Sequence, residues 1–357
     1  MTIVEHLAVL GTALAVTWLV TPLVRLVGIR WGIVAHPGGR HVHTGAIPRI
    51  GGVSLFAGFI AAVLVRWLGE TFWGWRAALT RPNEPTLGLL AALAIMFLVG
   101  LLDDVIDLRP SHKFFGQLLA ASVAYAVGVR IDFVGNPFGG GLLLLGVLSI
   151  PVTLFWMVGF ANVINLIDGL DGLAAGVTAI AGVSLLVLAE QSNQWLAAVL
   201  AAALVGACIG FLRFNFNPAS IFMGDSGALF LGFALACIAL LGVMKSVAAI
   251  TLVVPLLIIG VPVFDTFSAF VRRRRHGRPI QEADRGHIHH RLLGRGFNQR
   301  QTVLIIYIWS VALAVGGYAM RWAPTTYRLL TFLVLAVLSG LMAYWLGLFE
   351  AAHHDDE

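Results

Sequence analysis

The stretch TLGLLAALAIMFLVGLLDD, residues 86–104, decides how the chain is read. Residues 86–102 carry no charge, and the run ends abruptly on Asp103 and Asp104. A bilayer span needs about 20 mostly apolar residues. Two adjacent carboxylates repel each other and are costly to desolvate, so they mark the point where the span meets water.

Ten further stretches read the same way, giving about eleven predicted transmembrane helices at 4–27, 50–68, 86–102, 114–130, 142–160, 172–189, 194–212, 227–243, 247–270, 301–320 and 328–348. The composition agrees: 59% of the 357 residues are hydrophobic and 11% charged, with a mean hydropathy of +0.90. An ordinary soluble domain carries roughly 25% charged residues. A soluble enzyme, a disordered chain and a disulfide scaffold are therefore excluded. The expected class is an all-α, polytopic integral membrane protein.

Residues 1–28 read as the first span rather than as a cleaved signal, because Glu5 stands where a basic region would be. Of the 23 Lys and Arg residues, fifteen fall in alternate loops at 28–49, 103–113, 161–171, 213–226 and 271–300. By the positive-inside bias these loops are cytoplasmic, the N-terminus is outside and the C-terminus is inside. The chain reads as one membrane-embedded domain, 1–357, with a long basic loop at 271–300. Cys208 and Cys237 sit in apolar runs and read as small packing residues.

The chemistry-capable side chains collect in that same set of loops. Asp103, Asp104, Asp107, Arg109 and Lys113 follow the third span. Carboxylates there suit a divalent cation shared with phosphates, with a solvated helix end as the plain alternative. Asn162, Asn165, Asp168 and Asp171 follow the fifth span, interrupted by Gly169 and Gly172. Spacings of three put Asn162, Asn165 and Asp168 on one face if the stretch is helical.

Asn215 and the run Phe222-Met223-Gly224-Asp225-Ser226-Gly227 precede the eighth span. A Gly-Asp turn at a helix start offers N–H groups to an anion and a carboxylate to its counter-ion. Asp225 could equally be a helix N-cap. The basic loop carries His287-Ile288-His289-His290-Arg291, and arginine and histidine are natural phosphate partners. The loop after the first span adds Arg40, His43 and Arg49. A magnesium-dependent reaction on phosphates, one of them lipidic, fits this inventory.

Those motifs, in that order and on one predicted side, resemble the polyprenyl-phosphate N-acetylhexosamine-1-phosphate transferases along nearly the whole chain. The run His-Ile-His-His-Arg looks like the branch that uses UDP-N-acetylglucosamine rather than the phospho-N-acetylmuramoyl-pentapeptide transferases. The resemblance implies transfer of N-acetylglucosamine 1-phosphate from UDP-N-acetylglucosamine to undecaprenyl phosphate, with release of UMP, at the cytoplasmic face of a bacterial inner membrane. That step starts the synthesis of a cell-envelope glycan.

The resemblance also implies Mg2+, with Mn2+ as an alternative ion, and no nucleic-acid partner; a homodimer stays open. It places Asp103, Asp104, Asp168, Asp225 and His290 in the catalytic set. Asp225 and Asn165 fall to the metal. Lys113, Asn165, Asp171, Asn215, Phe222, His289 and Arg291 fall to substrate, with Asn215 and Phe222 on the uracil. Ala35 and His41 depart from the family pattern, which has Asp and Lys at those places, while Arg40 and His43 match. The rival reading in another reaction class is an intramembrane prenyltransferase, for which Asp103, Asp104 and Asp107 would form a diphosphate-binding motif. A proton-coupled transporter is the non-enzyme rival.

Overall fold

A computed structural model describes residues 2–35, 47–82, 84–135, 142–243, 260–275, 287–322 and 324–348. The chain is helical, with two small antiparallel hairpins. The helices are α1 (Ile3–Arg30), α2 (Gly52–Phe72), α3 (Thr86–Ile106), α4 (Pro110–Ala126), α5 (Ser149–Ile167), α6 (Leu173–Gln191), α7 (Trp195–Asn215), α8 (Gly224–Val243), α9 (Gly260–Arg275), α10 (Ile288–Gly294), α11 (Gln299–Trp322) and α12 (Thr325–Leu346). Strand β1 (Val34–Ala35) pairs with β2 (Ile47–Pro48), and β3 (Phe133–Gly135) with β4 (Leu142–Leu144).

Eight of the described helices are long and apolar enough to cross a membrane: α1, α2, α3, α5 to α8 and α11. A 21-residue helix is about 31 Å long, which matches a hydrocarbon core of about 30 Å. The protein is thus a polytopic helical membrane protein. Helix α4 and the apolar part of α12, Leu330–Leu346, are shorter. The span expected at 247–270 lies largely outside the described residues, as do the motif at 37–43 and Asp284, Arg285 and Gly286 of the basic loop.

Helices α7 and α8 form the centre. Helix α7 packs against α1, α2 and α6, while α8 lies between α3 and α5. Nearly every side chain of α7 is buried, and many are alanine. Without a strong hydrophobic drive between helices in lipid, small residues gain their packing by close backbone approach. Gly210 shows it: a Cβ there would lie 2.5 Å from the Leu14 carbonyl oxygen of α1. At the periphery Leu333, Val337, Leu338 and Leu341 of α12 are exposed, as lipid-facing residues should be.

Two element boundaries differ from the sequence reading. The fourth span was expected at 114–130, but α4 starts at Pro110, whose fixed φ and missing N–H suit a first helical position. The fifth was expected at 142–160, but residues 142–144 pair with 133–135 and helix α5 runs on to Ile167. Asn162 and Asn165 therefore stand on the last turns of a helix instead of in a loop.

The end of the bundle remote from these motifs has its own polar core. Arg66 of α2 is fully buried. It donates to Glu5 of α1 at 3.0 Å and to Glu70 at 2.8 Å, and also to the Arg76 carbonyl. Glu70 in turn accepts from the backbone N–H groups of Ala78, Leu79 and Thr80. A buried guanidinium survives because each neighbour satisfies it.

Candidate active site

Five chain segments, one from each predicted cytoplasmic loop, line a single cleft of about 250 Å³. Arg49 comes from the first and Asp103, Asp104 and Asp107 from the second. Asn165, Asp168 and Asp171 come from the third, Asn215, Phe222 and Asp225 from the fourth, and His290 and Gln299 from the fifth. Helix ends converge here because glycines allow it. A Cβ on Gly100 of α3 would clash with the Asp225 carbonyl, and Gly224 turns into α8 with a φ of +67°. A backbone ladder fastens the first segment to the fourth: Phe222 N–H donates to Pro48, while Gly51 and Gly52 donate to Phe222 and Met223.

Asp225 is the hub. Its Oδ1 accepts from Asn165 Nδ2 at 2.6 Å, and its Oδ2 pairs with the Lys113 ammonium. Lys113 also donates to Asp103 at 2.9 Å, and Asp103 Oδ1 accepts the Leu108 N–H at 2.8 Å. Asp104, almost fully buried, does something different. Its two oxygens accept the N–H groups of Asp225 and Ser226 at 2.7 and 3.0 Å. It caps the start of α8 from another helix, satisfying donors that a helix N-terminus leaves open. Asp225, the sequence-level candidate for that cap, is released to face the cleft.

Asp168 sits at the C-terminal cap of α5. Burial pushes its carboxyl well above the usual range, reinforced by the charges of Asp225, Asp104 and Asp171. Asp171 is buried and ties down the fourth segment, accepting from Asn217 Nδ2 at 3.0 Å and from Ala219 N–H at 2.9 Å. Asn215 is spent in the same way: its Oδ1 takes the Gly172 N–H at 3.1 Å and its Nδ2 donates to Ile221 at 3.0 Å. Both residues therefore set the shape of the cleft wall. Phe222 lines the cleft with its ring half-buried.

The histidines divide. His290 lines the cleft. His289 is buried behind it, packed where a Cβ on Gly169 would meet its Nε2 at 2.9 Å. Burial, with His290 alongside, lowers its pKa to about 3, so it is neutral at physiological pH. Arg291, one residue further along α10, is not among the cleft-lining residues. Sequence reasoning passed over Asp265 as a site residue. It is buried in α9, accepts the Ile288 N–H at 2.8 Å and stands 3.1 Å from His287 Nδ1, so it caps the helix that carries the histidines. An ionisable residue just inside a predicted span was the available signal.

Asp103, Asp104 and Asp107 turn to three different partners: Lys113, the start of α8, and Arg49 at 2.8 Å. That dispersal does not form the diphosphate claw a prenyltransferase would need. As for magnesium, the donor set is hard oxygen, and the crowded carboxylates that raise Asp168 leave an excess of negative charge for a cation to relieve. Among the described residues no three His, Cys, Asp or Glu side chains converge on one cation position. The set fits an ion bound by one or two carboxylates and completed by substrate phosphates, which is how Mg2+ is commonly held.

Residues 86–243 match the model of glycosyl transferase family 4. Over 330 residues the chain is 37% identical to a probable undecaprenyl-phosphate N-acetylglucosaminyl 1-phosphate transferase of Bacillus subtilis, covering 92% of this chain and 89% of the relative. It is 37% identical to a decaprenyl-phosphate N-acetylglucosaminephosphotransferase of Mycolicibacterium smegmatis, over 88% of this chain and 82% of that one. A phospho-N-acetylmuramoyl-pentapeptide-transferase of Desulforudis audaxviator is 34% identical, over 87% and 96%. The chain belongs to the polyprenyl-phosphate N-acetylhexosamine-1-phosphate transferase family.

Proposed function

We propose that the protein transfers N-acetylglucosamine 1-phosphate from UDP-N-acetylglucosamine to undecaprenyl phosphate and releases UMP. An oxygen of the lipid phosphate attacks the sugar-bearing phosphorus. The bond from that phosphorus to the bridging oxygen breaks, and UMP leaves with that oxygen. The carrying observation is Asp225, held between Lys113 and Asn165 where α4, α5 and α8 meet, in a cleft too rich in carboxylate to bind phosphates without a cation.

Asp225 and Asn165 would hold Mg2+, and the ion when bound would neutralise charge on the phosphates. The residues of the chain do the rest. Lys113 bridges Asp225 and Asp103 and holds the two carboxylates in place. Phe222 offers a face to the nucleotide base. His290 closes the fifth side of the cleft. Asp104, Asp171 and Asp265 hold the walls in place.

The same reading has eleven spans in one membrane-embedded domain, the N-terminus outside and the cleft on the cytoplasmic side of the inner membrane. It is supported by the gathering of all five basic-side segments at one end of the bundle. The test is to incubate purified protein with UDP-N-acetylglucosamine, undecaprenyl phosphate and Mg2+ and to score UMP and the lipid product. No UMP release would overturn it.

A further inference from the structure

We propose that Arg49 is the anchor for the phosphate of the lipid substrate, and that Asp107 holds its place until that phosphate arrives. The inference rests on the transfer reading above. Arg49 is the one Lys or Arg among the described residues lining the cleft, whereas Lys113 is already shared between two carboxylates.

The backbone of Arg49 is fixed. Its N–H donates to the Ile33 carbonyl at 3.2 Å, and its own carbonyl lies where a Cβ on Gly224 would be, one residue from Asp225. The guanidinium is less committed. Nη2 donates to Asp107 Oδ1 at 2.8 Å, but the Asp107 side chain is 80% exposed. An ion pair that open to solvent is a weak tie. The Nε of Arg49 is buried and has no hydrogen-bond partner among the described residues, an unfavourable state that a second oxyanion contact would relieve. A phosphate dianion offers that contact in the bidentate geometry a guanidinium prefers.

The position favours the lipid over the nucleotide. Val105 and Ile106, just before Asp107 at the end of α3, are exposed, and so are Ile29 and Trp31 at the end of α1, shortly before Ile33, whose carbonyl accepts the Arg49 N–H. In a spanning bundle, apolar residues exposed at helix ends face lipid. Asp107 is itself held in the left-handed region, with φ 47°, as the C-cap of α3. A non-glycine residue there is uncommon, and Asp107 is among the residues that line the cleft.

The test measures binding, by calorimetry in detergent with Mg2+, using farnesyl phosphate as the lipid-phosphate probe and UDP as the nucleotide probe. Arg49→Ala is expected to weaken farnesyl phosphate about ten-fold or more while UDP binding is unchanged. Arg49→Lys should fall between, and Arg49→Gln serves if the alanine variant does not fold. Asp107→Ala should bind farnesyl phosphate as tightly as the unmodified protein or tighter, because it frees the guanidinium. If the pair were merely structural, the two variants would lose binding alike. That result would overturn the proposal. So would loss of UDP binding alone, equal loss for both probes, or no loss. Because turnover is not read, these outcomes stand apart from UMP release by the unmodified protein, which tests the transfer reading itself.

Discussion

Asp104 Oδ1 accepts the backbone N–H of Asp225 at 2.7 Å, across 121 positions of sequence. One aspartate of the adjacent pair thereby builds the helix start that carries another cleft-lining aspartate. The expected consequence concerns stability as much as rate. In Asp104→Asn, one acceptor oxygen becomes an NH2 facing a backbone N–H, leaving a buried donor unsatisfied at a cost of about 1–3 kcal/mol. Thermal unfolding of the substrate-free protein in detergent should shift down, and turnover should fall with it. An unchanged melting temperature with a large loss of kcat alone would return Asp104 to a chemical role.

Asp225 should behave in the opposite way. Its side chain faces the cleft and no helix end depends on it, so Asp225→Asn should stay folded. It should lose roughly 10²-fold or more in kcat, the scale seen when one preorganised charged group is removed from a reacting centre. Removal of divalent cation with EDTA should abolish turnover of the unmodified protein. Near-normal rates for the variant, or full activity in EDTA, would reject the metal assignment.

His289 supplies a pH dependence with a definite sign. Its folded pKa of about 3 lies below the unfolded value near 6.5. Between those values the unfolded chain binds a proton that the folded chain does not. Stability is therefore undiminished above about pH 6.5 and falls as the pH drops toward 3, by about 1.4 kcal/mol per unit in the steep part. In His289→Gln that contribution should vanish, so the melting temperature should fall less between pH 6.5 and 4.5. Identical pH profiles for variant and parent would mean that His289 is not the buried group responsible.

Most residues that line the candidate cleft were legible in the sequence, because charge inside apolar flanks is hard to explain by packing. Their division of labour was not. Asp103 and Asp104 are indistinguishable as letters. Only the approach of α8, which Gly100 and Gly224 permit, turns one to a helix N-terminus and leaves the other with Lys113. Asn215 looked available to a base, yet Gly172 and Ile221, at some distance in sequence or across a turn, occupy its amide. The fifth span was placed seven residues early because Leu142, Leu143 and Leu144 are as apolar as a helix. Their pairing with 133–135 is a tertiary choice that hydropathy does not record.

At the far end of the molecule, Arg66 gives a prediction independent of the chemistry. It lies 14 positions along α2 from Gly52, about 21 Å up the helix from the end held to Met223. Arg66→Met would leave Glu5 and Glu70 as buried carboxylates without their cation. Breaking such a pair costs about 3–5 kcal/mol. The melting temperature should drop strongly, while the KM values of the fraction that remains folded stay unchanged. A specific change in either KM would show that the two ends of the bundle are coupled.

The choice of donor tests how far the family resemblance reaches. Phe222 lines the cleft between the ladder to Pro48 and the turn at Gly224. Stacking of a base on an aromatic ring is worth about 1–3 kcal/mol, or roughly 5- to 150-fold in affinity. Phe222→Ala should therefore weaken UDP-N-acetylglucosamine and free UDP alike, with lipid-phosphate binding preserved. His290 faces the same cleft from α10, whose start Asp265 fixes. His290→Ala should lower turnover with UDP-N-acetylglucosamine while leaving UDP affinity nearly intact, since the proposed function gives the base to Phe222 rather than to α10. In competition at equal concentrations, UDP-N-acetylglucosamine should be used in preference to the muramoyl-pentapeptide donor. A clear preference for the pentapeptide would move the chain to the other branch of its family, with the carboxylate cleft unchanged.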